Sequence, residues 1–298
     1  MKELDLIGVQ MDLGASKRGV AMGPMAIRYG GLREGLEALG FAVHDRGDIV
    51  PPEEGESRPN LRYYDQVVEV NGRLYRAVRD SLERGHFPVC LGGDHSIAAG
   101  SIAAAAEHYA EKGGIGVIWI DAHGDWNNEH STHTGNMHGM PFSAVCGHGP
   151  DGMAAFGERP VWVDPRHCVQ IGGRDIDDLE RIRMKEAGIT VFPINVIDRL
   201  GMGEVIHRAL EVAGKGTAGI HLSFDVDAIT PEAAPGTGTI VHSGLTAREA
   251  FLAVETLAES GKLVSMDMVE VNPILDERNK TGILASELIQ SALGKVVY

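Results

Sequence analysis

Residues 116–125 read Gly-Val-Ile-Trp-Ile-Asp-Ala-His-Gly-Asp. The unbroken apolar run Gly116–Ile120 fits a strand covered on both faces, since a half-exposed strand alternates apolar and polar residues. The run then gives way to Asp121, His123 and Asp125. Charged groups seldom close a buried strand without something to hold. Doubly covered strands belong to parallel sheets, whose ligands bind beyond the carboxyl ends of the strands. One short stretch thus predicts both the class of fold and the place where the chemistry sits.

The same pattern extends outward in both directions. Strands are expected at Leu4–Val9, Phe41–Asp45, Pro88–Leu91, Gly116–Ile120, Cys168–Ile171, Thr190–Phe192, Ile220–Phe224 and Val264–Val271. Helices are expected near 24–39, 64–84, 96–112, 178–187, 203–213, 246–259 and 283–294. Pro24 stands where a helix can begin, and Thr246 with Glu249 forms a capping-box pattern. Alternating strands and helices predict an α/β protein of three layers, αβα, around a parallel sheet. The Pro/Glu/Gly-rich stretch Val50–Asn60 reads as a surface loop rather than a linker, so residues 1–298 are expected to form one domain. The amphipathic segment Leu284–Tyr298 is expected to pack on its own sheet or on a neighbour.

Polar clusters fall at four strand ends: Leu91–Ser96, Asp121–Asp125, Ser223–Asp227 and Val269–Pro273. If the backbone stays extended, alternate residues share a face, which aligns Asp121, His123 and Asp125, and likewise Asp225 and Asp227. So many carboxylates on one side repel one another in a semi-buried site, and cations must offset them. With His95 there are four Asp and two His, enough for two metal ions sharing bridging carboxylates. Carboxylates with some imidazole and no thiolate suit Mn2+, and Zn2+, Co2+ and Fe2+ accept the same donors. Two ions about 3.5–4 Å apart make hydroxide from a bridging water at neutral pH.

Composition narrows the partners. The 298 residues carry a net charge of −15, which argues against nucleic acid and suits a cationic small molecule. No apolar run is long enough for a membrane span. Three scattered cysteines, Cys90, Cys146 and Cys168, and an N-terminus without leader features point to a reduced, cytoplasmic protein. No Walker, dinucleotide or nucleophile-elbow motif occurs.

The ordered motifs Gly8–Arg28, Leu91–Ser96, Asp121–Asp125, Gly135–Pro141, Ser223–Gly244 and Val269–Thr281 span almost the whole chain. Together they resemble the ureohydrolases and, within them, the bacterial arginases. That resemblance implies a central, mostly parallel eight-stranded sheet and two Mn2+ per subunit. One ion would take His95, Asp121, Asp125 and Asp225, the other Asp121, His123, Asp225 and Asp227. A metal-bridging hydroxide would attack the guanidinium carbon of L-arginine, giving urea and ornithine, with Asp125 assisting proton transfer. Glu270 is the natural carboxylate for pairing with the guanidinium. His138 matches the proton-shuttling histidine at the mouth of the site. Asn127, Thr134 and Asn136 match the loop that grips the α-carboxylate, while Asp177, with Glu180 nearby, would meet the α-ammonium. The resemblance also implies a homo-oligomer, a trimer or hexamer.

Several positions depart from the family pattern. Thr134 stands where Ser is usual, Ala228-Ile-Thr-Pro231 replaces Gly-Leu-Asp-Pro, and Ile240-Val-His-Ser-Gly244 replaces Pro-Val-x-Gly-Gly. Another ureohydrolase, such as an agmatinase or guanidinobutyrase, a metal-dependent amide deacetylase of the same architecture, and a non-catalytic oligomer are the competing readings. Retention of the carboxylate-gripping loop favours arginine. His130 and His133, three residues apart, are expected to be solvated loop residues.

Overall fold

A computed structural model describes residues 2–53 and 55–296. Its strands are β1 Lys2–Val9, β2 Phe41–Ile49, β3 Phe87–Leu91, β4 Ile115–Ile120, β5 Cys168–Ile171, β6 Thr190–Phe192, β7 Gly219–Asp225 and β8 Leu263–Val269. They form one eight-stranded sheet in the order β2-β1-β3-β8-β7-β4-β5-β6. Every strand pairing is parallel. The helices are α1 Gly23–Tyr29, α2 Leu32–Ala38, α3 Tyr64–Glu83, α4 Ala98–Tyr109, α5 Pro141–Val145, α6 Asp178–Ala187, α7 Ile194–Leu200, α8 Met202–Ala213, α9 Ala247–Ser260 and α10 Lys280–Ala292.

The sheet separates two cores, as the unbroken apolar strands require. In β4, Ile118 and Ile120 pack into one core, with Val205 and Ile206 of α8, Val254 of α9 and Leu288 of α10. Ile115, Val117 and Trp119 point the other way, toward Val70 and Leu74 of α3, Ile102 of α4 and Phe142 of α5. Burying a Leu- or Ile-sized side chain stabilises by about 1.5–3 kcal/mol. A strand with apolar groups on both faces makes that gain twice and leaves nothing for water to hydrate.

Local differences from the expected elements have local causes. The helix expected over 24–39 is two helices, because Gly31 is left-handed (φ 79°) and starts α2 afresh. β8 stops at Val269 rather than Val271, because Glu270 adopts φ 65° and leaves the ladder. The short helices α5 and α7 are not among the expected ones; α5 begins at Pro141 and α7 follows Pro193, and the fixed φ of proline suits a helix start. The Thr246–Glu249 capping box is present, with Thr246 N donating to Glu249 Oε2 at 2.8 Å. Helix α10 packs on its own chain, against α1, α2 and α9; the last two residues of the segment Leu284–Tyr298 lie outside the described residues.

The strand order sets up the site. β3, β8, β7 and β4 are neighbours at the middle of the sheet, though far apart in sequence. They are the four strands whose carboxyl ends carry the polar clusters, so topology alone gathers His95, Glu270, Asp225 and Asp121 at one edge.

Candidate active site

Each cluster leaves its strand by a different turn. After β3, Asp94 caps a short 3-10 turn by accepting from Ser96 N, and its other carboxylate oxygen accepts from Gly14 N. Asp94 is therefore spent on the backbone, and His95 is the residue turned inward. After β4 the chain does not stay extended: Asp121 Oδ1 accepts from His123 N at 2.7 Å, and Asp125 is left-handed at φ 49°. After β7, Asp225 Oδ1 accepts from Asp227 N at 2.7 Å and starts another 3-10 turn. Strand alternation is thus not what aligns these side chains. Tight turns capped by the carboxylates themselves do, which corrects the extended-backbone expectation while keeping the residues together.

The result is a nearly dry cluster. His95 Nδ1 lies 3.1 Å from Asp121 Oδ2, 3.1 Å from Asp125 Oδ2 and 3.3 Å from Asp225 Oδ2. It faces three carboxylates yet makes no well-formed hydrogen bond to any of them. A nitrogen lone pair aimed between oxygens, with neighbours about 3 Å apart, matches the spacing around one ion with bonds of about 2.1 Å. His123 Nδ1 lies 3.2 Å from Asp121 Oδ1 and 3.1 Å from Asp227 Oδ2, giving a second such grouping that shares Asp121.

The electrostatics agree with this donor set. Burial and the neighbouring Asp121 push the Asp125 carboxyl up to about 7. Asp225 is raised well above normal by burial and by Asp227 and Asp121. Burial alone would lower His95, but Asp121, Asp125 and Asp225 around it hold it well above the usual imidazole range. Carboxylates in this condition stay ionised together only around cations. Four carboxylates and two imidazoles fit a carboxylate-preferring divalent ion such as Mn2+.

Around the cluster the walls are ordered. Trp119 donates Nε1–H to Asp121 Oδ2 at 2.9 Å and stacks on His95 with centroids 4.0 Å apart. Glu270 Oε1 accepts from His95 N and faces His138 Nδ1, both at 2.9 Å. Burial would lower His138, but Glu270 outweighs it, so the imidazole sits at about 9. Glu180 accepts from Trp126 N at 2.7 Å, and burial pushes its carboxyl up to about 8. Asp177 and Glu180 together make the capping box that opens α6. Asn127 Nδ2 reaches Asp177 Oδ2 at 3.2 Å and Glu180 Oε1 at 3.3 Å.

A cavity of 180 Å³ opens over the cluster. His123, Asp125, Asp225 and Asp227 form its floor, and His138, Asn127, Asp177 and Glu180 stand in its walls. Thr134 and Asn136 are not among the lining: Thr134 is exposed, and Asn136 Oδ1 accepts from Ser16 Oγ and Arg62 Nη1. Sequence reasoning missed Asp175 and Thr239 of the lining, and the buried pair His221 and Asp267 behind the cluster. Asp267 carries a visible signal, the lone charged residue in β8. His130 and His133 are exposed loop residues, each near a single carboxylate.

Comparison with known proteins agrees with this geometry. The Arginase family profile matches residues 2–294. An arginase from Bacillus caldovelox is 45% identical, with 99% of each chain covered. A solved structure of arginase from that organism superposes with a TM-score of 0.96 at 44% identity, over 100% of both chains. An arginase of Entamoeba histolytica solved with L-ornithine superposes with a TM-score of 0.91 at 31% identity, over 99% of this chain and 100% of that one. Among the described residues no helix is long and apolar enough to cross a membrane. With likeness over its whole length and the acids and imidazoles gathered at the strand ends, this chain belongs to the arginase family of hydrolases.

Proposed function

We propose that the protein hydrolyses L-arginine to L-ornithine and urea at a centre holding two Mn2+ ions, with Co2+, Fe2+ or Zn2+ as substitutes. The observation that carries this reading is the position of His95 Nδ1 among three carboxylate oxygens, with His123 in a second group that shares Asp121. The ligand sets are His95, Asp121, Asp125 and Asp225 for one ion, and Asp121, His123, Asp225 and Asp227 for the other. Bound there, the ions supply a nucleophilic hydroxide at neutral pH.

The remaining steps belong to side chains. A guanidinium carbon is a weak electrophile, so the substrate must be held still against the nucleophile. Glu270, buried yet kept ionised, is the anion to pair with the guanidinium; it already has the imidazole of His138 against it. His138, 18% exposed, passes protons in and out in this reading. Asp125 orients the nucleophile and gives a proton to the leaving amine. Asp177, with Glu180 behind it, binds the α-ammonium, and Asn127 belongs to the group that receives the α-carboxylate. Thr134 and Asn136 complete that group only if the loop at 132–136 turns toward the cavity when substrate binds. The enzyme acts as one domain of residues 1–298, in the cytoplasm, as a homo-oligomer of three or six.

Thr134 is exposed and Asn136 is buried against Ser16 and Arg62, both outside the cavity lining, which favours one competing reading, a ureohydrolase for a guanidine without the α-carboxylate. Urea release after Mn2+ loading, with L-arginine and agmatine compared side by side, separates the two. Strong preference for L-arginine supports the proposal. Preference for agmatine keeps the metal chemistry and removes the roles given to Asn127, Thr134 and Asn136. No urea from either, with two metals bound, sinks both.

A further inference from the structure

At the amino end of the sheet, opposite the cavity, three donor side chains meet. Glu3 on β1, His44 on β2 and His86 just before β3 each place one ligand atom within 4.8 Å of the others. Strand register brings them there: Asp5 pairs with His44, and Leu4 pairs with Phe87, the residue after His86. Outside the catalytic cluster, no other group of His, Cys, Asp and Glu among the described residues meets this condition.

The three side chains are held in place by their neighbours. His44 Nε2 lies 2.6 Å from Glu3 Oε2, and its ring stacks on His86 with centroids 5.2 Å apart. His86 Nδ1 lies 3.1 Å from Oδ1 of the buried Asp5, which is also anchored by Arg46. An ionised Asp5 only accepts, so it fixes the proton on Nδ1 and leaves the lone pair on Nε2. Metal-binding histidines are oriented in this way by a carboxylate behind them. The side chains of Glu3 and His44 are about two-fifths exposed, which leaves room for water as a further ligand.

We infer that Glu3, His44 and His86 form a second metal site, distinct from the catalytic cluster, that takes one Zn2+ per chain. Two imidazoles and one carboxylate with an open position suit zinc, whereas the carboxylate-rich catalytic cluster suits manganese. A metal there ties together the ends of β1, β2 and β3 and stabilises the edge of the sheet.

The test is a metal count on Mn2+-loaded protein dialysed against Zn2+, comparing wild type with His44→Ala and Glu3→Gln. Both altered side chains are partly exposed, so folding is retained, and a thermal melt of each variant checks this. Wild type is expected to hold one more metal ion per chain than His44→Ala, and Glu3→Gln to bind that ion at least about tenfold more weakly. Zn2+ should raise the unfolding temperature of wild type and not of His44→Ala, while urea production is unchanged in both variants. Equal metal content in wild type and His44→Ala overturns the inference, as does a Zn2+-induced shift in melting that survives the substitution. The readout is a difference in metal count, so it stands even if the catalytic centre proves to act on another substrate.

Discussion

Ser223 holds the ring of His95: its Oγ lies 2.8 Å from His95 Nε2, on the side of the imidazole away from the carboxylates. The Ser223 hydroxyl donates to Asp267 Oδ1 at 2.5 Å, so its lone pair is what receives the Nε2–H. That bond fixes the tautomer and leaves Nδ1 as the metal-facing nitrogen. Removing the hydroxyl in Ser223→Ala should therefore weaken Mn2+ binding by about 10–100-fold. Equilibrium dialysis against Mn2+ checks this; an unchanged affinity would mean that the cluster alone orients His95.

Asp267 sits at the centre of a buried polar network, with His221 Nε2 at 2.9 Å and Ser101 Oγ at 2.7 Å from its Oδ2. Burial by itself would raise its pKa, but His221 and Ser223 hold it below normal. A carboxyl lowered on folding contributes stability above its unfolded value near 3.8, and that contribution is lost as pH falls through the folded value. Asp267→Asn should thus cost about 1–3 kcal/mol at pH 7, since an amide offers one accepting oxygen where His221, Ser101 and Ser223 converge on two. Chemical denaturation at pH 7 and at about pH 3 should show the gap between wild type and variant narrowing in acid. A gap independent of pH would show that Asp267 contributes by shape rather than charge.

Ser243, where the family pattern has glycine, is left-handed at φ 61° and exposed. A side chain in that conformation is strained, and glycine is not. Ser243→Gly is expected to stabilise the fold by about 0.5–1 kcal/mol, less whatever glycine adds to the freedom of the unfolded chain. The opposite result is expected next door. A Cβ on Gly244 would stand 2.6 Å from Ala228 O and from the Arg174 guanidinium, so Gly244→Ala should destabilise by about 1–3 kcal/mol. Thermal melts of the two single variants settle both signs.

Glu270 touches the substrate in the proposed reaction but is not among the proposed metal ligands. Glu270→Gln should leave two metal ions bound and lower kcat/KM for L-arginine by about a hundredfold or more, the loss of a charge-assisted pair of about 3 kcal/mol. Retained activity with normal metal content would take the guanidinium away from Glu270.

Much of this protein was legible in its sequence, because burial on both faces leaves a mark on every strand. The apolar runs gave all eight strands, and the motif order gave the family. The placement of His95, Asp121, His123, Asp125, Asp225 and Asp227 at strand ends was readable because charge beside an apolar run is rare and local. What the sequence could not determine is which strands become neighbours. The order that sets β8 and β7 between β3 and β4 follows from packing between residues as far apart in sequence as Val89 and Met266. The left-handed turns at Asp125 and Glu270, the bond from Ser16 to the Asn136 side chain, and the register that faces Ser223 with Asp267 also belong to tertiary structure alone. Each depends on contacts whose partners lie far along the chain, and hydrophobic periodicity carries information only about a residue's near neighbours.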